Sequence, residues 1–152
     1  MEEALHAPEI LIPAGSAWHF LAPGESPDPD WNQPGSGGGN WELGVAPLGF
    51  SRNGEDGERT RIPKEPIATT YYFRKRVNFA EPRRSEDQRR ELLLRVRCDD
   101  GAVVYLNGQE CRRVNMPDGP VDQDTPAAAT RFGEGELTWS SFEVDASLLT
   151  AG

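Results

Sequence analysis

Apolar and polar residues alternate on both sides of Asn107-Gly108, and this pattern predicts a β-hairpin. Asn and Gly adopt the positive φ angles of a two-residue type I′ turn more readily than other residues do. A two-residue turn also sets the register of the strands that it joins. Counted outward from the turn, the predicted partners are Leu106 and Gln109, Tyr105 and Glu110, and Val104 and Cys111.

The same alternation divides the predicted hairpin into two faces. The face expected to join the core carries Ala102, Val104, Leu106 and Cys111. The opposite face carries Val103, Tyr105, Glu110 and Arg112.

Two further segments show the period of a half-buried strand. Residues 91–98 would bury Leu92, Leu94, Val96 and Cys98 and expose Leu93, Arg95 and Arg97. Residues 69–79, rich in β-branched and aromatic types, place Tyr71, Phe73, Val77 and Phe79 on one face and Tyr72, Arg74 and Arg76 on the other. Lys75 is the exception, because its charged side chain falls on the apolar face. Shorter strands are predicted at 9–13, 16–21 and 136–144.

The segments between these strands are long and rich in Gly, Pro and charged residues, which predicts loops. The longest of these predicted loops are 22–40 and 115–131, and shorter ones lie at 52–66 and 81–90. Trp31 and Trp41 bracket the glycines at 35–39. Because two large aromatic side chains are costly to leave in water, we expect them to hold this loop against the strands.

Composition supports an all-β protein with one domain. The 152 residues include 16 Gly and 13 Pro, and no segment shows a helical period over three turns. We expect an antiparallel β-sandwich at 9–152 that follows a tail at 1–8. The net charge of −9 argues against nucleic acid and anionic membranes as partners. No apolar run is long enough to span a bilayer, and the first residues lack a secretion signal.

A series of separated motifs resembles one family. In chain order they are Trp31 with Pro34-Gly35 and Trp41, Ala46-Pro-Leu-Gly-Phe50, Thr69-Thr-Tyr-Tyr-Phe-Arg-Lys75, Asp99-Asp-Gly-Ala-Val-Val-Tyr-Leu-Asn-Gly108, Asn115-Met-Pro-Asp-Gly119 and Phe142-Glu-Val-Asp-Ala-Ser-Leu-Leu149. They are similar to the galactose-binding-like jelly-roll modules of large secreted bacterial proteins, which often accompany metallophosphoesterases and other extracellular hydrolases. Some of them also resemble the sugar-binding jelly roll of family-two glycoside hydrolases.

This resemblance implies a jelly roll of about eight strands without an active site, as an accessory part of an exported hydrolase. The location that follows is extracellular or in the cell envelope. In such modules a final strand follows the position of Gly152. We therefore expect an open strand slot, filled by residues 1–12, by another chain or by further sequence, with self-association as one outcome.

Catalytic and metal-binding patterns are weak in this sequence. It contains no Gly-x-Ser-x-Gly or His-Glu-x-x-His motif, and neither His6 nor His19 has an evident partner. No cofactor is expected. Acidic clusters at 28–30, 55–58, 99–100 and 118–124 leave two alternatives open, a structural calcium site or turn-forming Asp residues. Cys98 and Cys111 are expected to be two buried thiols, with a disulfide as the alternative.

The candidate ligand-binding residues are the outward Arg and Tyr side chains of the predicted strands. They are Tyr72, Arg74, Arg76, Arg95, Arg97, Tyr105 and Arg112. Guanidinium forks and aromatic faces suit sugar hydroxyls, uronates or an acidic neighbouring domain. An ordinary solvated face with cross-strand ion pairs is the alternative. The predicted function is a non-catalytic module that binds a glycan or packs on its catalytic neighbour. A structural subunit completed by strand donation is the second hypothesis.

Overall fold

The computed structural model describes residues 8–51, 57–78 and 91–150, and these residues form an all-β fold with very little helix. The strands are β1 Ala17–Phe20, β2 Glu42–Val45, β3 Leu48–Gly49, β4 Thr60–Arg61, β5 Phe73–Arg74, β6 Leu92–Val96, β7 Ala102–Leu106, β8 Gln109–Val114 and β9 Ser140–Val144. A one-turn helix, α1, spans Glu134–Leu137, and a 3₁₀ turn spans Ala146–Leu148. The described residues include no helix of the length and apolarity that a membrane span requires.

Strand β1 is the centre of a three-stranded antiparallel sheet, with β2 on one side and β5 on the other. Ala17 pairs with Val45, and Phe20 pairs with both Glu42 and Phe73. Beyond β2, the short strands β3 and β4 pair in parallel. The Thr60 hydroxyl stabilises this junction, because it accepts from the Val45 amide at 2.7 Å and donates to the Val45 carbonyl at 2.9 Å.

The remaining strands form two antiparallel pairs, β6 with β9 and β7 with β8. In the first pair Leu94 lies opposite Phe142. The second pair is the predicted hairpin, and its turn residues Asn107 and Gly108 have φ angles of 50° and 80°, as the type I′ turn requires. The predicted hairpin is therefore confirmed.

The predicted register holds for the two pairs next to the turn and fails beyond them. A β-bulge between Val104 and Tyr105 places Arg112, not Cys111, opposite Val104. One extra residue in β8 therefore exchanges the faces of the residues that follow it. Arg113 now shares a face with Tyr105 and Glu110, whereas Arg112 lies on the face of Val104.

The most buried large apolar side chains are Phe20, Leu21, Ile62 and Val114, each at most 4% exposed. Alternation along β6 agrees with the prediction, because Leu93 and Arg95 are exposed while their neighbours are less so. The predicted core residues Leu94, Val96, Val104 and Leu106 are only half-buried, however, so the prediction that they are nearly buried is wrong.

Three predicted strands are absent or clearly shorter in the structure. Of the predicted strand 136–144, only Ser140–Val144 is a strand, since Glu136 and Leu137 belong to α1. Residues 9–13 form no strand, and Ile10 is 72% exposed, because no neighbouring strand offers a hydrogen-bond ladder there. Of the predicted strand 69–79, only Phe73–Arg74 is a strand, and Phe79 lies outside the described residues, as do 1–7 and 81–90. Lys75 is accommodated on its apolar face because its ammonium donates to the Ala17 carbonyl at 2.8 Å.

Candidate functional site

Four aromatic side chains from distant parts of the sequence meet around Trp31. The indole of Trp31 stacks on Trp41 with 6.1 Å between ring centroids. Tyr72 and Tyr105 meet the same indole edge-on, at 5.4 and 6.0 Å. These four residues, here called the aromatic cluster, join the loop 22–40, the start of β2, the segment before β5 and the hairpin.

The loop brings Trp31 into this position through successive turns. The Trp31 amide donates to the Asp28 carbonyl at 3.0 Å, and the Gln33 amide donates to the Asp30 carbonyl at 2.9 Å. The Ser36 hydroxyl then donates back to the Trp31 carbonyl at 3.0 Å. Pro residues fix φ in this segment, so turns form at a low cost in conformational entropy. The expectation that Trp31 and Trp41 hold the loop against the strands is confirmed.

Two arginines hold the glycine-rich half of the loop. The Arg74 guanidinium lies 4.1 Å from the centroid of the Trp41 ring and donates to the Ser36 hydroxyl and the Gly38 carbonyl. Arg76 donates to the Ser36 carbonyl at 3.3 Å. Partial burial, together with the charge of Arg76, lowers the pKa of Arg74. Tyr72, Arg74 and Arg76 thus lie on the same side of their segment, the side that faces the loop, and both arginines bind the loop.

An open cleft of about 400 Å³ adjoins the aromatic cluster. It lies between the loop around Trp31 and a second loop at 122–125, and Tyr72 lines it as well. The two loops are linked because the Ser26 hydroxyl donates to Gln123 Oε1 at 2.6 Å, and the Thr70 hydroxyl donates to the Gln123 carbonyl at 2.7 Å. The lining residues are Ser26, Pro27, Asp28, Pro29, Trp31, Tyr72, Asp122, Gln123 and Asp124.

Carboxylates dominate the electrostatics of this cleft. Burial raises the pKa of the Tyr72 hydroxyl, and the nearby Tyr105, Asp122 and Asp124 raise it further. Tyr72 is therefore a neutral hydrogen-bond donor at physiological pH. Asp122 also shapes its own loop, because its Oδ1 accepts from the Asp124 amide and the Thr125 hydroxyl at 3.0 Å each.

Tyr105 lies behind Trp31 and belongs to the hairpin. Burial raises the pKa of its hydroxyl, and the carboxylate of Glu110 acts in the same direction. The bulge lets Glu110 and Arg113 share this face, where they form a bidentate ion pair at 2.5 and 3.1 Å. The pair lowers the pKa of Glu110.

The other three predicted site residues, Arg95, Arg97 and Arg112, contact aromatic rings outside the aromatic cluster. The guanidinium carbons of Arg95 and Arg97 lie 5.4 and 5.9 Å from the centroid of the Trp139 ring. Arg112 lies 4.4 Å from the Phe142 ring, on the face of the hairpin opposite Tyr105.

The seven candidate residues do not share one face of neighbouring strands. The strands that carry these residues are not paired with one another, since β5 pairs with β1, β6 with β9 and β7 with β8. The structure does bring Tyr72, Arg74, Arg76 and Tyr105 together, around the two tryptophans of the loop.

The described residues contain no group of three or more His, Cys, Asp or Glu side chains that could hold a metal ion. Cys98 and Cys111 are free, half-buried thiols, and the Cys111 thiol donates to the Val104 carbonyl. Burial raises the pKa of both thiols, which keeps them protonated and poorly nucleophilic.

Sequence reasoning identified Trp31 as a loop anchor and did not identify the cleft beside it. Asp28, Asp122 and Asp124 were noted as acidic clusters, but nothing local indicated that loops almost a hundred residues apart would meet. The signal that could have located the cleft was the pair of Trp residues in a turn-rich loop, since large aromatic residues in such loops commonly mark binding surfaces.

Comparison with known proteins identifies no relative of this chain. The chain matches no family model, and no match was found among curated proteins or solved structures. The similarity to galactose-binding-like modules rests on the sequence motifs alone.

Proposed function

We propose that this chain is a non-catalytic β-sandwich module that binds carbohydrate in the cleft beside the aromatic cluster. The observation that carries the proposal is the wall formed by Trp31 and Tyr72, edge-on at 5.4 Å, next to a row of polar groups. A saccharide presents C–H groups on its ring faces and hydroxyls around its rim. An aromatic wall beside hydrogen-bonding side chains complements both features.

The polar lining supplies the hydrogen bonds that such a ligand needs. Carboxylates and the Gln123 amide oxygen accept from hydroxyls, whereas the Tyr72 and Ser26 hydroxyls both donate and accept. The loop that carries Trp31 is already held by Arg74 and Ser36. Binding therefore orders few additional groups, which favours affinity.

The jelly-roll fold and the setting within an exported hydrolase belong to the same proposal. The all-β architecture with antiparallel sheets supports them, together with the motifs from Trp31 to Leu149 that resemble such modules. In that setting the module would bring an attached enzyme to its polymeric substrate.

A screen of immobilised oligosaccharides followed by calorimetry tests the proposal. We expect at least one saccharide to bind, and we expect Tyr72→Ala to weaken binding about five- to thirtyfold, since one aromatic contact contributes about 1–2 kcal/mol. Tyr72→Phe, which keeps the ring, should retain most of the affinity.

Trp139→Ala is the matched control, because Trp139 is also contacted by arginines and lies outside the cleft. The Trp139→Ala variant should bind the saccharide with the same affinity as the unmodified chain. Equal loss in Tyr72→Ala and Trp139→Ala, or no binding by any saccharide, would contradict carbohydrate recognition at the cleft.

A second candidate function is packing against another domain or chain. The observation that favours it is the outer face of β6 and β9, where Leu93 is 63% exposed beside Arg95 and the 43%-exposed Trp139 follows α1. Trp and Arg are enriched among the residues that contribute most to protein interfaces, and Leu93 adds exposed apolar surface beside them.

A further inference from the structure

The charge of the cleft lining indicates which saccharides it would select. Nine of the described residues line the cleft; three of these are carboxylates, Asp28, Asp122 and Asp124, and none of the nine is Lys, Arg or His. The acidic residues approach from both loops, so a ligand between them would face negative charge on two sides. Like charges a few ångströms apart repel, which disfavours uronates and sulfated sugars.

The aromatic wall, like the carboxylates, would attract a positively charged ligand. The faces of Trp and Tyr rings carry partial negative charge and attract cations within about 6 Å of the ring centroid. Trp31 and Tyr72 therefore add to the field of the carboxylates on a cation held between them. Neither the aromatic wall nor the carboxylates alone specify a ligand, but together they favour a positively charged group on a ring with apolar faces.

Arg74, whose guanidinium interacts with the charge of Asp28, makes its hydrogen bonds outside the cleft. The Arg74 guanidinium feels the charges of Asp28 and Asp30, but it lies over Trp41 and donates to Ser36 and Gly38. Arg76 likewise donates to the Ser36 carbonyl. Neither arginine lines the cleft, and among its carboxylates Asp122 is the one whose Oδ1 already accepts hydrogen bonds within its own loop.

We infer that the cleft selects amino sugars with a free ammonium group, of the glucosamine type, over neutral and acidic saccharides. The inference rests on the proposed carbohydrate binding and adds the charge of the ligand. The ammonium group would lie between Asp28 and Asp124, while the sugar ring stacks on the aromatic wall.

A matched pair of ligands tests the inference on the full chain. A β-1,4-linked glucosamine hexamer and its fully N-acetylated counterpart share their backbone and differ in charge. In slightly acid, low-salt buffer the amines of the glucosamine hexamer are protonated and carry positive charge. We expect the glucosamine hexamer to bind about tenfold tighter by calorimetry, and this advantage should shrink at high salt.

Variants of equal net charge separate the cleft from general attraction by an acidic protein. Asp124→Asn should remove most of the preference for the glucosamine hexamer, because it deletes a lining carboxylate. Asp118→Asn removes one charge from the same loop outside the cleft, and it should leave the preference unchanged. An equal loss in both variants would overturn the inference, since it would show non-specific electrostatic binding.

The remaining outcomes separate this inference from the function on which it rests. Equal or tighter binding of the N-acetylated hexamer, still lost in Tyr72→Ala, would overturn the selection of amino sugars and leave carbohydrate binding intact. If neither hexamer binds while a neutral glucan or mannan oligosaccharide binds at the cleft, the selection of amino sugars is likewise overturned and carbohydrate binding stays intact. No binding of any saccharide would overturn both proposals.

Discussion

Gly108 meets the requirement of the turn and also contacts the loop of Trp31. Its φ of 80° lies in the left-handed region, as the type I′ turn requires. The end of the exposed Gln33 side chain occupies the space where a Cβ of residue 108 would be, so this side chain would have to move aside for a larger residue. The hairpin and the loop of Trp31 are therefore in contact at this residue.

Gly108→Ala should lower the free energy of unfolding slightly more than Gly119→Ala does, because the flexible end of Gln33 has to move aside. Both substitutions impose a positive φ on alanine, which costs about 1–2 kcal/mol. Gly119 has no atom within 4 Å of a new Cβ, whereas Gly108 meets Gln33. Urea denaturation of the two variants measures the difference. Combining Gly108→Ala with Gln33→Ala should remove the excess cost, and an unchanged cost would show that Gln33 is not responsible.

Among the elements, strand β6 shows how far periodicity determines burial. Leu92, Leu94 and Val96 alternate with exposed Leu93 and Arg95, and Leu94 lies opposite Phe142 of β9. Alternation therefore identified the correct face. It could not determine how completely that face is covered, because coverage depends on which other strands pack there.

Leu94→Ala should cost about 1–2 kcal/mol of unfolding free energy, below the 2–5 kcal/mol of a fully buried leucine, because Leu94 is only half-buried. Leu93→Ala, one residue away on the exposed face, should change stability by about 0.5 kcal/mol or less. Chemical denaturation measures both. A larger loss in Leu93→Ala than in Leu94→Ala would invert the face assignment.

Local sequence signals predicted the hairpin, its turn and the strand pattern of β6, because these depend on neighbouring residues. They did not predict the bulge that moves Arg112 away from Tyr105, since one inserted residue leaves the alternation of the segment intact. They also did not predict that β5 pairs with β1 and β6 with β9. Strand order depends on long-range packing, and the arrangement of the candidate site follows from it.

For the whole molecule, the described residues bury few large apolar side chains and leave many in contact with water. The exposed ones are Ile10, Ile12, Leu43, Phe50, Ile67, Leu93, Phe132, Leu137 and Trp139. Scattered exposed residues are normal, but several of these lie near Arg95 and α1. This distribution favours the second candidate function at that end of the molecule.

Sedimentation of the chain over a range of concentrations tests such packing. If the face with Leu93 and Trp139 binds another copy, the apparent mass should rise with concentration, and Leu93→Glu should restore the 16.8 kDa monomer. Ile67→Glu is the matched control, because Ile67 is 75% exposed and lies outside this face. A monomer at every concentration would exclude self-association through this face and leave a different partner chain as the occupant.

The stacking of Trp31 on Trp41 has a spectroscopic consequence. Two indoles 6.1 Å apart and inclined by 24° are close enough for their electronic transitions to couple. Coupled chromophores give paired circular-dichroism bands of opposite sign, and the bands disappear when either chromophore is removed or turned away. The protein therefore contains an optical reporter of loop position, readable without a label, next to the cleft where a ligand would bind.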